Sequence, residues 1–418
     1  MLKVFKEYAN LNRSLHNLLT VQFFVQLINV SFIAILPLYM KTEGYSDAQY
    51  AHFTFYRYFG ILILALFLGM YIKGRKVIPM FYVAAIGIPF FALLILFAVQ
   101  IHSNTLLIIA HLLWGMTYTF IQIPILPYIL RNVPVEKQTF AISLNFATWS
   151  IASITGSLII AIFNKIDPVF FNEHNLLLGI SSISFLSIYF VARISKKEHV
   201  PTANVKRETF REYDWGTILP ALLPTTIFAI GAGFIVPFMG LFFANVHHVK
   251  TSTFSFMNFL TAVLVTLVAM YVPVIKSKFG FQKAIPTTQS FAIIALILMA
   301  TTEYYNHLSF AVFIAGTFFL LRQPLMSMAV PMTLEITMKY VGEKNREIVS
   351  GLSSAIWSGA ACISAIGFGI FRHLNISYVN IFFITAVLYS IAVALYKILL
   401  RNYDKKVKEG LIEEILVK

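Results

Sequence analysis

Two arginines, Arg57 and Arg322, stand deep inside apolar segments, while the other thirty Lys and Arg residues of this 418-residue chain fall in short polar gaps. No Asp or Glu lies near the middle of any apolar stretch. An ionised side chain in hydrocarbon is costly unless it faces a wet or paired site, so each buried charge marks a place where work is done. A guanidinium offers a planar fork of donors that fits a carboxylate, phosphate or sulfate, so the chemistry on offer is anion recognition. Other polar groups sit at comparable depth: Asn258, Gln122, Gln323, and Asn145 with Trp149 four residues on and so on the same helix face. Tyr56, Tyr58 and Phe256, with Phe53, are candidates for an aromatic wall. Each feature also has a plainer reading. The arginines could snorkel to an interface or satisfy carbonyls freed by a kink such as Pro324. The amides could glue helices together, and any given ring could be core or lipid-facing.

Composition sets the class that must position these groups. The chain is 58% hydrophobic and 12% charged, against about 25% charged residues in soluble domains. A net charge of +14 raises the question of nucleic acid, but that needs basic residues clustered on a soluble face. Here they line the ends of apolar segments, as orientation in a bilayer requires. The single cysteine, Cys362, excludes a disulfide framework or a cysteine-rich metal site. His247-His248, without acidic or cysteine partners, is a poor metal site, and His52 and His111 read as packed histidines rather than proton relays. No cofactor is expected. The apolar run after Met1–Arg13 is too long for a signal peptide and reads as a first membrane helix.

A spanning helix needs roughly 20 mostly apolar residues. Twelve such stretches occur, at about 16–40, 47–72, 77–100, 104–130, 138–163, 174–193, 216–242, 252–275, 284–302, 308–334, 348–370 and 376–399. An even count places both termini on one side. With the N-terminus in the cytoplasm, 26 of the 32 Lys and Arg residues fall inside and four outside (Lys41, Lys165, Lys250 and Arg372), leaving the two buried arginines. That asymmetry is the positive-inside pattern, and a missed helix would scramble it. Arg57 lies about ten residues, or roughly 15 Å, from the outer end of its helix, near the midplane, and Arg322 is also central. Pro124, Pro127, Pro324 and Pro331, and the Gly231-Ala-Gly233…Pro237 run, are kink and close-packing features.

The longest polar gap, 195–214, divides the chain into 1–194 and 215–402, each a six-helix bundle, with a tail at 403–418. The halves repeat. Phe53-Thr-Phe-Tyr-Arg57 aligns with Phe254-Ser-Phe-Met-Asn258, and Met70-Tyr71 with Met270-Tyr271. Gly115 and Gln122-Ile-Pro124 align with Gly316 and Gln323-Pro324, and Glu136-Lys137…Ser143…Trp149 with Glu343-Lys344…Ser350…Trp357. The shared offsets and order argue for duplication, and they pair Arg57 with Asn258 and Gln122 with Gln323.

With twelve helices in two parallel halves and a long middle loop, the chain resembles the major facilitator superfamily over essentially its whole length. That family's loop motif, Gly-x3-Asp-Arg-x-Gly-Arg-Arg/Lys, survives in degraded form. Pro273-Val-Ile-Lys-Ser277-Lys278-Phe-Gly280-Phe-Gln-Lys283 keeps the spacing, a basic residue, the Gly and the final Lys. Gly69-Met-Tyr-Ile-Lys73-Gly74-Arg75-Lys76 keeps Gly-Arg-Lys but is shortened and lacks the Asp. The resemblance implies an all-α fold of two pseudo-symmetric bundles, alternating access and a central site near the midplane. It also implies a cytoplasmic latch in which Arg75 or Lys76 faces Glu343 and Lys278 faces Glu136. The alternative is that these are ordinary positive-inside charges with solvated partners.

A proton-coupled exporter of cations usually needs a membrane-embedded carboxylate, and all 18 acidic residues lie in loops, tails or at helix ends, Glu335 coming closest to the membrane. The leading expectation is therefore a secondary transporter for a small organic anion, or for an amphipathic molecule with an anionic group. Multidrug efflux across aromatic walls is the alternative within transport, and a non-transporting receptor of the same fold is a second class. A membrane enzyme would need a nucleophile, metal cluster or carboxylate pair at one face, and none is visible. A coupling proton or other ion is left open. The expected partners are a small-molecule substrate and the lipid bilayer, with no nucleic acid. A monomer in a bacterial inner membrane, with both termini cytoplasmic, completes the reading.

Overall fold

A segment crossing lipid must satisfy each backbone N–H and C=O internally, which leaves the helix as the form these apolar stretches take. The computed structural model describes residues 12–72, 75–194, 198, 213–342 and 345–409, and no strand occurs among the described residues. Twelve helices there are long and apolar enough to cross a membrane. They are α1 (Arg13–Thr42), α2 (Asp47–Gly69), α3 (Ile78–Gln100), α4 (Asn104–Asn132), α5 (Leu144–Ile166) and α6 (Glu173–Ala192). The second set is α7 (Trp215–Val246), α8 (Thr251–Ala269), α9 (Val274–Tyr305), α10 (Ala311–Tyr340), α11 (Gly351–His373) and α12 (Tyr378–Lys408). They correspond one to one with the stretches expected from the sequence.

The helix ends follow local chemistry. Ser46 and Gln49 form a reciprocal capping box at α2, and the side chains of Ser103, Asn172 and Asp214 accept from backbone N–H groups at the starts of α4, α6 and α7. α4 breaks after Gln122, because Pro124 lacks the N–H that would continue the ladder. A 3₁₀ turn at Val236–Phe238, containing Pro237, interrupts α7. α10 runs unbroken through Pro324 and Pro331. Between the apolar stretches 252–275 and 284–302 the sequence suggests a loop, yet the chain stays helical from Thr251 to Thr301 apart from Gly280, at φ 64° and ψ 172°. A single left-handed residue turns the chain there, and glycine adopts that conformation without a Cβ clash.

Contacts divide the chain into Met1–Val205 with Lys250–Phe259, and Lys206–Val249 with Leu260–Lys418. Within the first unit, α2 and α3 pack on α4, and α1 packs on α5; within the second, α7 packs on α11 and α12. Small residues set these approaches, as expected where lipid tails compete equally for apolar surface. A Cβ on Gly115 would lie 2.0 Å from the Arg57 carbonyl oxygen, and one on Gly60 would lie 2.3 Å from that of Leu112. A Cβ on Gly156 of α5 would meet Ser31 Oγ of α1 at 3.0 Å, and one on Gly233 of α7 would meet Ser364 Oγ of α11 at 2.6 Å. Ser31 and Gly233 are 202 residues apart, and Gly156 and Ser364 are 208 apart, within a residue or two of the repeat's offsets of 200–201 and 207–208. One crossing therefore recurs in both units with its glycine and serine exchanged.

Gly233→Ala is expected to lower stability in detergent by about 1–3 kcal/mol through overpacking. Gly179→Ala, where nothing lies within 4 Å of the added Cβ, should shift it by less than about 1 kcal/mol. The exchange G233S/S364G should recover most of the loss caused by G233S alone. A double variant as unstable as that single one would refute the shared crossing.

Candidate functional site

In the first unit the site grows from α1. Gln22, Gln26 and Asn29 recur at spacings of four and three, which puts them on one helix face, and all three are buried. A buried amide left unpaired costs about 1–3 kcal/mol, and a shared network answers most of this demand. Asn29 Nδ2 donates to Gln26 Oε1 at 3.2 Å and lies 3.4 Å from the Tyr118 hydroxyl. Gln26 Nε2 donates to the same hydroxyl at 3.1 Å. Arg57 Nη2 of α2 donates to Asn29 Oδ1. Its guanidinium carbon lies 4.0 Å from the centre of the Trp114 ring and 5.9 Å from that of Tyr58. Arg57 is thus buried against an amide oxygen and an aromatic face, both of which favour a cation without neutralising it.

The second unit holds Arg322 differently. The residue is 2% exposed. Its Nη2 donates to the Tyr389 hydroxyl of α12 at 3.2 Å and its Nη1 to Gln323 Oε1 at 3.3 Å, while its Nε is buried without a partner. Tyr389 is itself clamped. Its ring stacks on Phe228 of α7 at 4.7 Å, Phe228 meets Trp357 edge-on at 6.2 Å, and a Cβ on Gly231 would come within 2.8 Å of Tyr389 Cε1. Among the described residues no carboxylate pairs with either guanidinium.

The remaining candidates scatter. Gln122, half-buried at the α4 break, has a buried Nε2 with no partner, as does Asn145 at Oδ1. Trp149 is 53% exposed and Phe256 48% exposed, the latter stacked on Phe259 at 6.0 Å. Asn258 is half-buried. Tyr56 packs edge-on against the exposed His52 at 5.1 Å, while Tyr58 lies beside the Arg57 guanidinium. Phe53 is core, stacked on the buried His111. His247 is packed against Phe242 and Phe243 with Nε2 2.9 Å from Thr302 Oγ1. Burial, and then neighbouring His248, holds its pKa down at about 4, so it is neutral at pH 7. Among the described residues no group of His, Cys, Asp or Glu could hold a metal.

At the Lys/Arg-rich helix ends, Arg75, Lys76 and Lys278 are exposed, with Arg75 lying over Tyr71 and Lys278 over Phe279. Glu343 and the side chain of Glu136 lie outside the described residues. A different carboxylate dominates the first unit. Glu198, its side chain fully buried, accepts from the Val77 N–H at 2.9 and 3.1 Å and from Ile78 at 3.4 Å, at the start of α3, and lies 3.8 Å from Arg131. Arg131 also donates to the carbonyls of Arg75 at 3.0 Å and Ile72 at 3.2 Å, beyond the end of α2. An acid on a helix N-terminus and a cation on a C-terminus are the favourable placements. The second unit ties its ends with Lys276 at 2.7 Å and Lys339 at 3.5 Å from Glu335.

Sequence reasoning passed over Gln26, Asn29, Tyr118, Tyr389 and Glu198. The α1 amides carried a signal, polar residues at helical spacing inside an apolar run. Tyr389 and Glu198 carried none, since each acts on residues more than sixty positions away.

The family model for the Major Facilitator Superfamily matches residues 18–365. No curated protein matches the chain. Among solved structures it resembles a D-xylose-proton symporter (TM-score 0.72, 11% identity, 92% of this chain and 96% of that one). It also resembles the nucleoside transporter NupG (0.68, 17% identity, 92% and 99%). A bacterial homologue of the human lysosomal transporter Spinster, inward-facing and occupied, matches at 0.68 with 13% identity over 94% and 97%. At such identities the likeness shows the fold alone.

Glu198→Ala removes the acid that caps α3 and leaves Arg131 with backbone carbonyls only. It should cost about 2–4 kcal/mol in thermal or denaturant unfolding. Glu409→Ala, which removes only an exposed pair with Lys405, should cost less than about 1 kcal/mol. Equal effects would mean that Glu198 is not a structural clamp.

Proposed function

The chain belongs to the Major Facilitator Superfamily, and on that premise we propose that it moves a small organic anion, or an amphipathic molecule with an anionic group, by alternating access. One observation carries the reading. Arg322 is almost fully buried, pairs with no carboxylate among the described residues, and keeps one N–H edge without a partner. An uncompensated guanidinium in a low-dielectric interior favours a bound anion, and forked hydrogen bonds favour carboxylate, phosphate or sulfate oxygens.

The two arginines have unequal roles in this proposal. Arg322 is the anion-binding group, oriented by Tyr389 and Gln323. Arg57 contributes positive potential and holds the α1 amide network, since its guanidinium is engaged by Asn29 and Trp114. In the first unit, Gln122, Asn145 and Asn258 are the polar candidates for substrate contact, and the buried unpartnered atoms of Gln122 and Asn145 support that reading. Both termini lie in the cytoplasm, following the Lys/Arg bias.

Proteoliposome counterflow with labelled carboxylates, phosphate esters and organic sulfates tests this. Arg322→Ala should abolish flux at normal expression, Arg57→Ala should reduce it at least about tenfold, and Tyr389→Phe should raise KM by about 3–10-fold with the loss of one hydrogen bond to a charged group. Undiminished flux in the double Ala variant would sink the assignment. Transport of lipophilic cations insensitive to both substitutions would favour multidrug efflux instead.

A further inference from the structure

Among the described residues, the basic groups at the end of α12 divide into one that packs against the protein and four that stand exposed. α12 runs unbroken from Tyr378 to Lys408. One side, with Tyr396, Leu399, Leu400 and Tyr403, is buried in a cluster with Ile218, Met332 and Tyr340. Lys406 joins that side, its Nζ 3.4 Å from Thr217 Oγ1 and 4.2 Å from the centre of the Tyr340 ring. Lys397, Arg401, Lys405 and Lys408 follow at spacings of four, four and three, so they form one stripe within an arc of about 80°. All four are exposed. The pair between Lys405 and Glu409, at 3.8 Å and largely in solvent, is worth little.

The stripe continues an apolar face. Val387 (59% exposed), Ile391 (43%) and Ile398 (52%) lie on the same outward side of α12. Gln282 Nε2 donates to Asp404 at 2.6 Å, which brings exposed Lys283 to this rim. The apolar face belongs in hydrocarbon, so the cations begin where hydrocarbon ends. From Lys397 to Lys408 the helix rises about 16 Å, against a polar headgroup layer of about 5–8 Å per leaflet. Long side chains reach back across the difference.

We propose that this stripe, with Lys283 at its edge, is a binding site for the headgroups of anionic phospholipids. The occupant follows from charge and continuity: a surface whose apolar part is already in the bilayer meets phosphate first, and several clustered cations attract anionic lipid over zwitterionic lipid.

Purified full-length protein in detergent, titrated with phosphatidylglycerol or phosphatidylcholine, gives the test through thermal unfolding and native mass spectrometry. Phosphatidylglycerol alone should raise Tm, less so with added salt. K397Q/R401Q/K405Q/K408Q should weaken its apparent affinity at least about tenfold. K196Q/K197Q/K206Q/R207Q, which removes the same charge from the middle loop, should leave it within about twofold. If the first variant does not fold, R401Q/K405Q reads the same shift at smaller amplitude. Equal losses in the stripe and loop variants, no preference for phosphatidylglycerol, or equal stabilisation by soluble glycerol 1-phosphate would each overturn the proposal.

Discussion

A polar or charged group withdrawn from water has to be answered by its neighbours, and the demand is strictest where those neighbours are lipid and apolar side chains. The backbone meets it by forming helices. Side chains must meet it across helices, and that requirement explains which residues come together. In the first unit, three polar residues from α1 and α4 form a network beside Arg57, which donates to one of them. In the second, a tyrosine on α12 and the adjacent Gln323 answer Arg322 only in part. The difference in completeness matters more than the shared residue type. A satisfied cation is part of the scaffold, whereas an unsatisfied one exerts attraction on whatever anion reaches it.

Close helix approach is the second constraint, and it works through absent atoms. α2 and α4 approach until a methyl group on Gly115 would strike the Arg57 carbonyl. That approach brings the guanidinium over the Trp114 face, because Trp114 precedes Gly115 on the same helix. Gly231 likewise leaves room for the Tyr389 ring that positions Arg322. The glycine–serine crossings of α1 with α5 and α7 with α11 show what the duplication kept. Both crossings keep a glycine facing a serine at close approach, while the helix that carries the glycine changed. Packing preserves a distance and tolerates exchange of the atoms that define it.

Much of the candidate site was legible because burying a charge or an amide is costly wherever it occurs. Arg57 and Arg322 stood out in the chain for that reason, and both are buried. The amides of α1 were legible in principle but inconspicuous, since Gln22, Gln26 and Asn29 carry no charge to draw the eye. The loop after α2 illustrates a limit of motif reading. Its expected acid is missing from the local sequence, and in the fold Glu198 caps the start of α3 while pairing with Arg131, which holds the end of α2. An acid can serve a helix terminus from any point in the chain once folding brings it near.

Sequence alone determined the helices, their number and the duplication, because twenty apolar residues in a row and a biased charge pattern have one physical outcome in a bilayer. It also identified the two cations. Tertiary structure decided what those cations are to the protein. Asn29 and Trp114 reach Arg57, and Tyr389 reaches Arg322, across distances in sequence that no local pattern encodes. Only the packing of helices, set by small residues at their crossings, determines which donor is engaged and which stays open. Partnership is a three-dimensional property, and the energetic difference between a scaffold arginine and a binding arginine lies there.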